Sequence, residues 1–192
     1  MSKDYEMIRY IRDKAKDLDE ELVNVLIRMF NRLDSRHCYS SALSTSITLC
    51  TAFKYLGYYP KLVLGTIQYQ GLSYPHAWME MDDKIFDIAT YEDIKYQPVL
   101  KDRGLTSVNP MINIEYEDAA QWIEYYPFQF GDTWPMANMK RVVDKTWKEY
   151  AEEAPYFDMI GDLCYILEIS EVPKNVDQLK DIMNAEYIKD TE

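Results

Sequence analysis

Cysteine and histidine are scarce in this sequence, at three and two residues in 192. Three cysteines is an odd and small number, which excludes a disulfide framework and fits a reducing compartment. Two histidines and no Cys-x-x-Cys pair leave a poor zinc signal, so neither a metal nor a cofactor is expected. No apolar run approaches the roughly 20 residues that cross a bilayer, which excludes a membrane-spanning helix. Positive charge hardly clusters, Lys140-Arg141 being the longest basic run, and the net charge is −12. A field of that sign repels phosphate backbones, so nucleic acid is excluded as a partner. The acidic surplus itself reads as solubility. The first residues, Met1 to Glu6, are charged and carry no apolar segment of the secretory type. There is no internal repeat and no low-complexity linker. The expectation is a soluble, cytoplasmic chain folded as one domain over 1–192.

What is present is ample apolar material, 47% of the chain, with 17 tyrosines among its aromatics. Between Lys3 and Leu33 the residues Ile8, Ile11, Ala15, Leu18, Leu22, Val25, Leu26, Met29, Phe30 and Leu33 recur at threes and fours, predicting one long helix or two short ones. Asp34-Ser35 is a plausible N-cap pair for the next helix, from Arg36 or Cys38 to Leu56, with Gly57 just past its end. Its hydroxylated, small-residue composition suits a helix packed closely on other backbone. The period then changes to two. Lys61–Tyr69 predicts a strand, Gln70–Ser73 a turn, and Pro75–Met81 and Lys84–Ala89 a hairpin about Asp82-Asp83. Beyond residue 90 the pattern predicts a loop with a short helix over 91–112, a short helix over 118–125, an irregular stretch over 127–135, and helices near 136–151, 155–169 and 175–188. The fold class expected is α+β.

With so few cysteines and histidines, the nucleophile–base pairs can be enumerated. Thiol catalysis requires a thiol held as thiolate, an imidazole beside it, and a group that orients the imidazole. Cys38, at the expected start of the second helix, faces the positive end of the helix dipole, which favours the thiolate. Cys50 and Cys164 lie in apolar stripes and read as core. With Asp82-Asp83 as the turn, Met81 faces Lys84 and Trp78 faces Asp87, so His76 and Asp87 share one face, diagonally placed within reach of a hydrogen bond. A slip by one residue would part them. Trp78 reads as a wall of this site, contacting substrate. His37, about 100° from Cys38 on a helix, is left out.

A cysteine opening a helix (Cys38), the corner Gly57-Tyr58-Tyr59-Pro60, the strand Leu62-Val63-Leu64-Gly65, His76-Ala77-Trp78-Met79-Glu80 and the strand residue Asp87 together resemble the transglutaminase-like, papain-related superfamily. The resemblance spans about residues 34–90, and the residues flanking Cys38, Arg36-His37 and Tyr39, depart from the Gly or Trp common there. It implies a papain/transglutaminase-like core, a nucleophile-bearing helix on a small antiparallel sheet, with additional N- and C-terminal helices, the C-terminal ones over about 136–192. It also implies Cys38 as nucleophile, His76 as general base and later acid, Asp87 as the orienting carboxylate, and a peptide or protein substrate. The alternative is a non-catalytic peptide- or protein-binding module that kept the fold.

Overall fold

A computed structural model of the chain describes residues 3–37, 41–96, 102, 108–128, 141–154 and 157–189. Among the described residues are eight helices and five strands, a mixed α/β architecture whose single sheet is wholly antiparallel. No helix among them is long and apolar enough to cross a membrane.

The first apolar stretch folds as two helices, α1 (Lys3–Lys14) and α2 (Glu20–Arg36). Asp19 takes the extended N-cap conformation, and Glu20 and Glu21 complement the dipole of α2. α2 runs on through Asp34 and Ser35, where the sequence predicts the cap of the following helix. The cause is long-range electrostatics. Arg32 and Arg36 donate to the fully buried Asp162 over 2.6–2.8 Å, and Lys95 donates to Asp34 at 2.7 Å. His37 then closes α2 in the left-handed conformation (φ 51°), its N–H on the Leu33 carbonyl. Asp162→Ala would leave two guanidinium groups without their shared carboxylate. Both are partly exposed, so the cost falls below that of a wholly buried pair, at about 2 kcal/mol. Urea unfolding is expected to show a lower midpoint with an unchanged slope.

The next helix, α3 (Ala42–Tyr55), has Ser41 at its N-cap position and so begins later than the sequence suggests. Its hydroxyls are buried and mostly satisfied at short range. Thr48 and Thr51 donate to the carbonyls of Ser44 and Ile47 at 2.8 Å, and Ser46 donates to the Ala77 carbonyl at 3.0 Å, fastening helix to sheet. Gly57, at φ 91°, ends it as expected: Gly57 N–H bonds Lys54 O and Tyr58 N–H bonds Phe53 O, the paired bonds of a Schellman motif.

Strands β1 (Lys61–Tyr69), β2 (Leu72–Met81), β3 (Lys84–Asp87), β4 (Met111–Ile114) and β5 (Glu124–Pro127) lie in the order β4-β3-β2-β1-β5. Gln70-Gly71 and Asp82-Asp83 both have two positive φ values, the requirement of a two-residue hairpin turn. The second turn sets Met81 against Lys84 and Met79 against Phe86, the register read from the sequence. The first is tighter than the predicted Gln70–Ser73, because β2 already begins at Leu72. Helix α4 (Ala89–Tyr96) follows β3, and α5 (Tyr116–Ala119) precedes β5. Strand β5 occupies part of the segment predicted as helix. The chain closes with α6 (Trp147–Glu153), α7 (Met159–Leu167) and α8 (Pro173–Ala185). Pro173 initiates α8, where its missing N–H costs nothing.

The sheet divides the apolar interior. Leu64, Ala77, Met79, Phe86 and Ile88 meet the helices α2, α3, α7 and α8. Val63, Ile67, Trp78, Ile85 and Tyr125 form a smaller second core with Ile94, Met111 and Ile123. At Gly65 a Cβ would lie 2.3 Å from the Tyr126 carbonyl oxygen and 2.5 Å from the Trp78 ring, so only glycine lets the indole cross β1.

Candidate functional site

His76 and Asp87 stand on neighbouring strands, and alternation along β2 and β3 places both on the second-core face of the sheet. Their side chains meet there: His76 Nε2 lies 2.8 Å from Asp87 Oδ2, with each residue only 1% exposed. Asp87 also collects the Tyr125 hydroxyl at 2.7 Å, the Thr90 hydroxyl, and the Thr90 backbone N–H at 3.1 Å. That last bond is capping chemistry, a carboxylate accepting an unpaired N–H in the first turn of α4. Thr90 Oγ1 lies a further 3.2 Å from His76 Nε2. The aspartate is thereby fixed from three sides, and it fixes the ring.

Burial acts against both charges, and the pair overcomes it. Desolvation is the largest influence on His76 and pulls its pKa down. The charge and hydrogen bond of Asp87, with the charge of Asp93, outweigh it and leave the imidazole above its ordinary value. Desolvation likewise pushes Asp87 up, but His76, Thr90 and Tyr125 bring it below the ordinary carboxylate range. The favoured state is imidazolium with carboxylate.

The other edge of the ring is occupied differently. His76 Nδ1 is buried and makes no hydrogen bond among the described residues. Asp93 Oδ2 stands 3.7 Å away, an ion-pair distance, and Asp93 Oδ1 accepts the Ser41 backbone N–H at 3.2 Å. Asp93 therefore lies between the imidazole and the N-terminus of α3. Tyr74 meets the ring edge-on, with centroids 6.1 Å apart.

Of the residues singled out from sequence, His76 and Asp87 are brought together. Cys38 lies outside the described residues, three positions before Ser41. Trp78 is fully buried and presents no surface to solvent. Its Nε1 donates to Glu80 at 3.2 Å and to the Tyr116 hydroxyl at 3.1 Å, and Tyr116 in turn donates to Glu80. The indole packs edge-on against Tyr125 at 5.0 Å. It backs the residue that holds Asp87 instead of lining an open cleft. Cys50 and Cys164 are both buried, and burial raises both thiols, Cys50 far above its ordinary value. Sequence reasoning missed Thr90, Asp93 and Tyr125. The three-residue spacing of Thr90 and Asp93 signals a shared helix face once α4 is known. Tyr125 carries no such mark.

A second polar cluster lies nearby. Ligating atoms of Asp34, His37 and Glu92 lie within 4.8 Å of one another. Lys95 Nζ already supplies a positive charge there, 2.7 Å from Asp34 and 3.3 Å from Glu92, and Tyr96 bonds His37 Nδ1 at 2.7 Å. Burial raises Glu92 to about 7 despite Lys95. The cluster is a carboxylate pair bridged by an ammonium, and it joins α2 to α4.

Comparison with protein-family models, with curated proteins and with solved structures finds no match.

Proposed function

We propose that this chain is a thiol-dependent acyl-transfer enzyme acting on an amide of a peptide or protein, with Cys38, His76 and Asp87 as its triad on a papain/transglutaminase-like core. The observation that carries the reading is the buried His76–Asp87 pair, whose Nδ1 edge faces a carboxylate tied to Ser41, three residues from the cysteine. In this reading the Cys38 thiolate attacks the amide carbonyl. His76 Nδ1–H protonates the departing amine as the C–N bond breaks, and a thioester remains. Water or an acceptor amine then loses a proton to Nδ1 as it attacks, and the thiol leaves as thiolate. No cofactor enters, and a reducing, cytoplasmic setting keeps the thiol available.

One observation favours a second reading. Asp93 already places a carboxylate at the Nδ1 edge, so the imidazolium has a counter-charge without any thiolate. A non-catalytic binding module would keep His76 in that way, as a structural ion cluster.

Alkylation of the three cysteines by iodoacetamide across pH, followed by mass spectrometry, separates the two. Cys38 is expected to react well below the roughly 8.5 midpoint of a free thiol, while Cys50 and Cys164 stay inert. A Cys38 that titrates like a free thiol would overturn the acyl-transfer reading in favour of the binding module.

A further inference from the structure

We propose that Asp93 is a second carboxylate partner of His76, a positioning residue that holds the Nδ1 edge of the imidazole in its protonated form and ties the ring to the start of α3. The inference rests on the acyl-transfer reading for its chemical meaning, although its geometry involves only described residues.

Two carboxylates flank one ring. Asp87 meets Nε2 at 2.8 Å, and Asp93 stands 3.7 Å from Nδ1. A neutral ring that donates from Nε2 to Asp87 would aim the Nδ1 lone pair at the Asp93 carboxylate, which is repulsive at low dielectric. Only the imidazolium carries an N–H toward each acid. Asp93 is itself held in place, because its other oxygen accepts the Ser41 N–H and it projects from α4 one turn after Thr90. The remaining groups facing the ring are Tyr74 from β2, Thr90 from α4 and, through Asp87, Tyr125 from β5. Burial pushes both phenols up, so they stay neutral near pH 7, and the two carboxylates are the charges that face His76 among the described residues.

The consequence for the proposed reaction concerns one proton. The Nδ1 proton is the one that the leaving amine must receive. Asp93 keeps it on the ring while the site is empty, and at 3.7 Å, beyond hydrogen-bond length, it leaves the N–H available for transfer.

The test is an NMR titration of the imidazole signals in the full chain. With only two histidines, the exposed His37 is an internal reference. Asp93→Asn keeps a carbonyl for the Ser41 N–H and removes the charge. It is expected to lower the His76 midpoint by about one pH unit or more, with Asp93→Glu restoring part of the shift and His37 unmoved. An unmoved His76 midpoint in folded Asp93→Asn would overturn the proposal. Should Asp93→Asn not fold, nitrogen-15 shifts of the wild-type ring decide. Both nitrogens are expected to be protonated at pH 6, and a neutral ring there overturns the proposal. Setting the titration beside the alkylation of Cys38 separates the two inferences. An unreactive Cys38 with a persistent Asp93 effect sinks acyl transfer and leaves this assignment, whereas a reactive Cys38 with an unmoved midpoint sinks this assignment alone.

Discussion

Cys38→Ala is expected to abolish formation of an acyl-enzyme, and His76→Ala to slow it by an amount that depends on the leaving group. The informative pair of acyl donors is a p-nitrophenyl ester and the matching p-nitroanilide, read by chromophore release and by intact mass. A p-nitrophenolate departs without a proton, so His76→Ala removes only the imidazolium that stabilises the thiolate. The smaller thiolate fraction is partly offset by the greater nucleophilicity of a more basic thiol, and a loss of about tenfold is expected at pH 6.5. An anilide nitrogen must be protonated as it leaves, so the same variant also loses its general acid. The expected loss there is about 10²–10⁴-fold. Equal losses on the two donors would deny His76 the acid role. An unchanged adduct in Cys38→Ala would remove the nucleophile altogether. Buried Cys50 and Cys164 offer no alternative, since burial raises both thiols and suppresses their thiolates.

The parts of this fold that were legible in the sequence are those whose determinants are local. The Asp82-Asp83 turn and the alternation on either side set the register of β2 and β3, and that register alone puts His76 and Asp87 on one face. Gly57 ends α3 for a reason confined to its own φ. The burial of Cys50 follows from a helical stripe. Where the determinants are distant, the reading failed. α2 extends past Asp34 because Arg36 finds Asp162 and Asp34 finds Lys95, partners 126 and 61 residues away. Strands β4 and β5 have four residues each, too few for alternation to stand out from a loop. Trp78 reads from sequence as a wall of the site, but Gly65, over which its ring lies diagonally, and the Glu80–Tyr116 pair draw it wholly into the second core. The support of the histidine has the same character. Thr90 and Asp93 come from a helix that starts at Ala89, before the segment 91–112 in which the sequence predicts a short helix without fixing its ends, and Tyr125 comes from a strand where the sequence predicts a helix.

Asp87→Ala is expected to cost about 3–5 kcal/mol of stability, the range for removing one partner of a buried charged pair. The size follows from what is orphaned: His76 Nε2, the Tyr125 and Thr90 hydroxyls and the Thr90 N–H, all on buried residues, lose their acceptor. Asp87→Asn separates charge from shape, because its carbonyl still accepts while the counter-charge is gone. Its signature is a changed pH dependence. His76 has a folded pKa above its unfolded value, so its contribution is fully present below the unfolded value near 6.5 and is lost as pH rises through the folded value. Asp87 is depressed, so its contribution is present above about 3.9 and is lost as pH falls through its folded value. The pair therefore stabilises the wild type most between roughly pH 4 and 6.5, and urea midpoints are expected to fall on the alkaline side of that window. In Asp87→Asn the alkaline fall is expected to vanish, because burial, the largest influence on His76, outweighs the charge of Asp93 alone. A wild-type midpoint that instead rises as pH goes from 6 to 8 would mean that His76 is neutral in the folded chain, since only the unfolded imidazole would then lose a proton. The imidazolium on which both the acid role and the Asp93 assignment depend would then be absent.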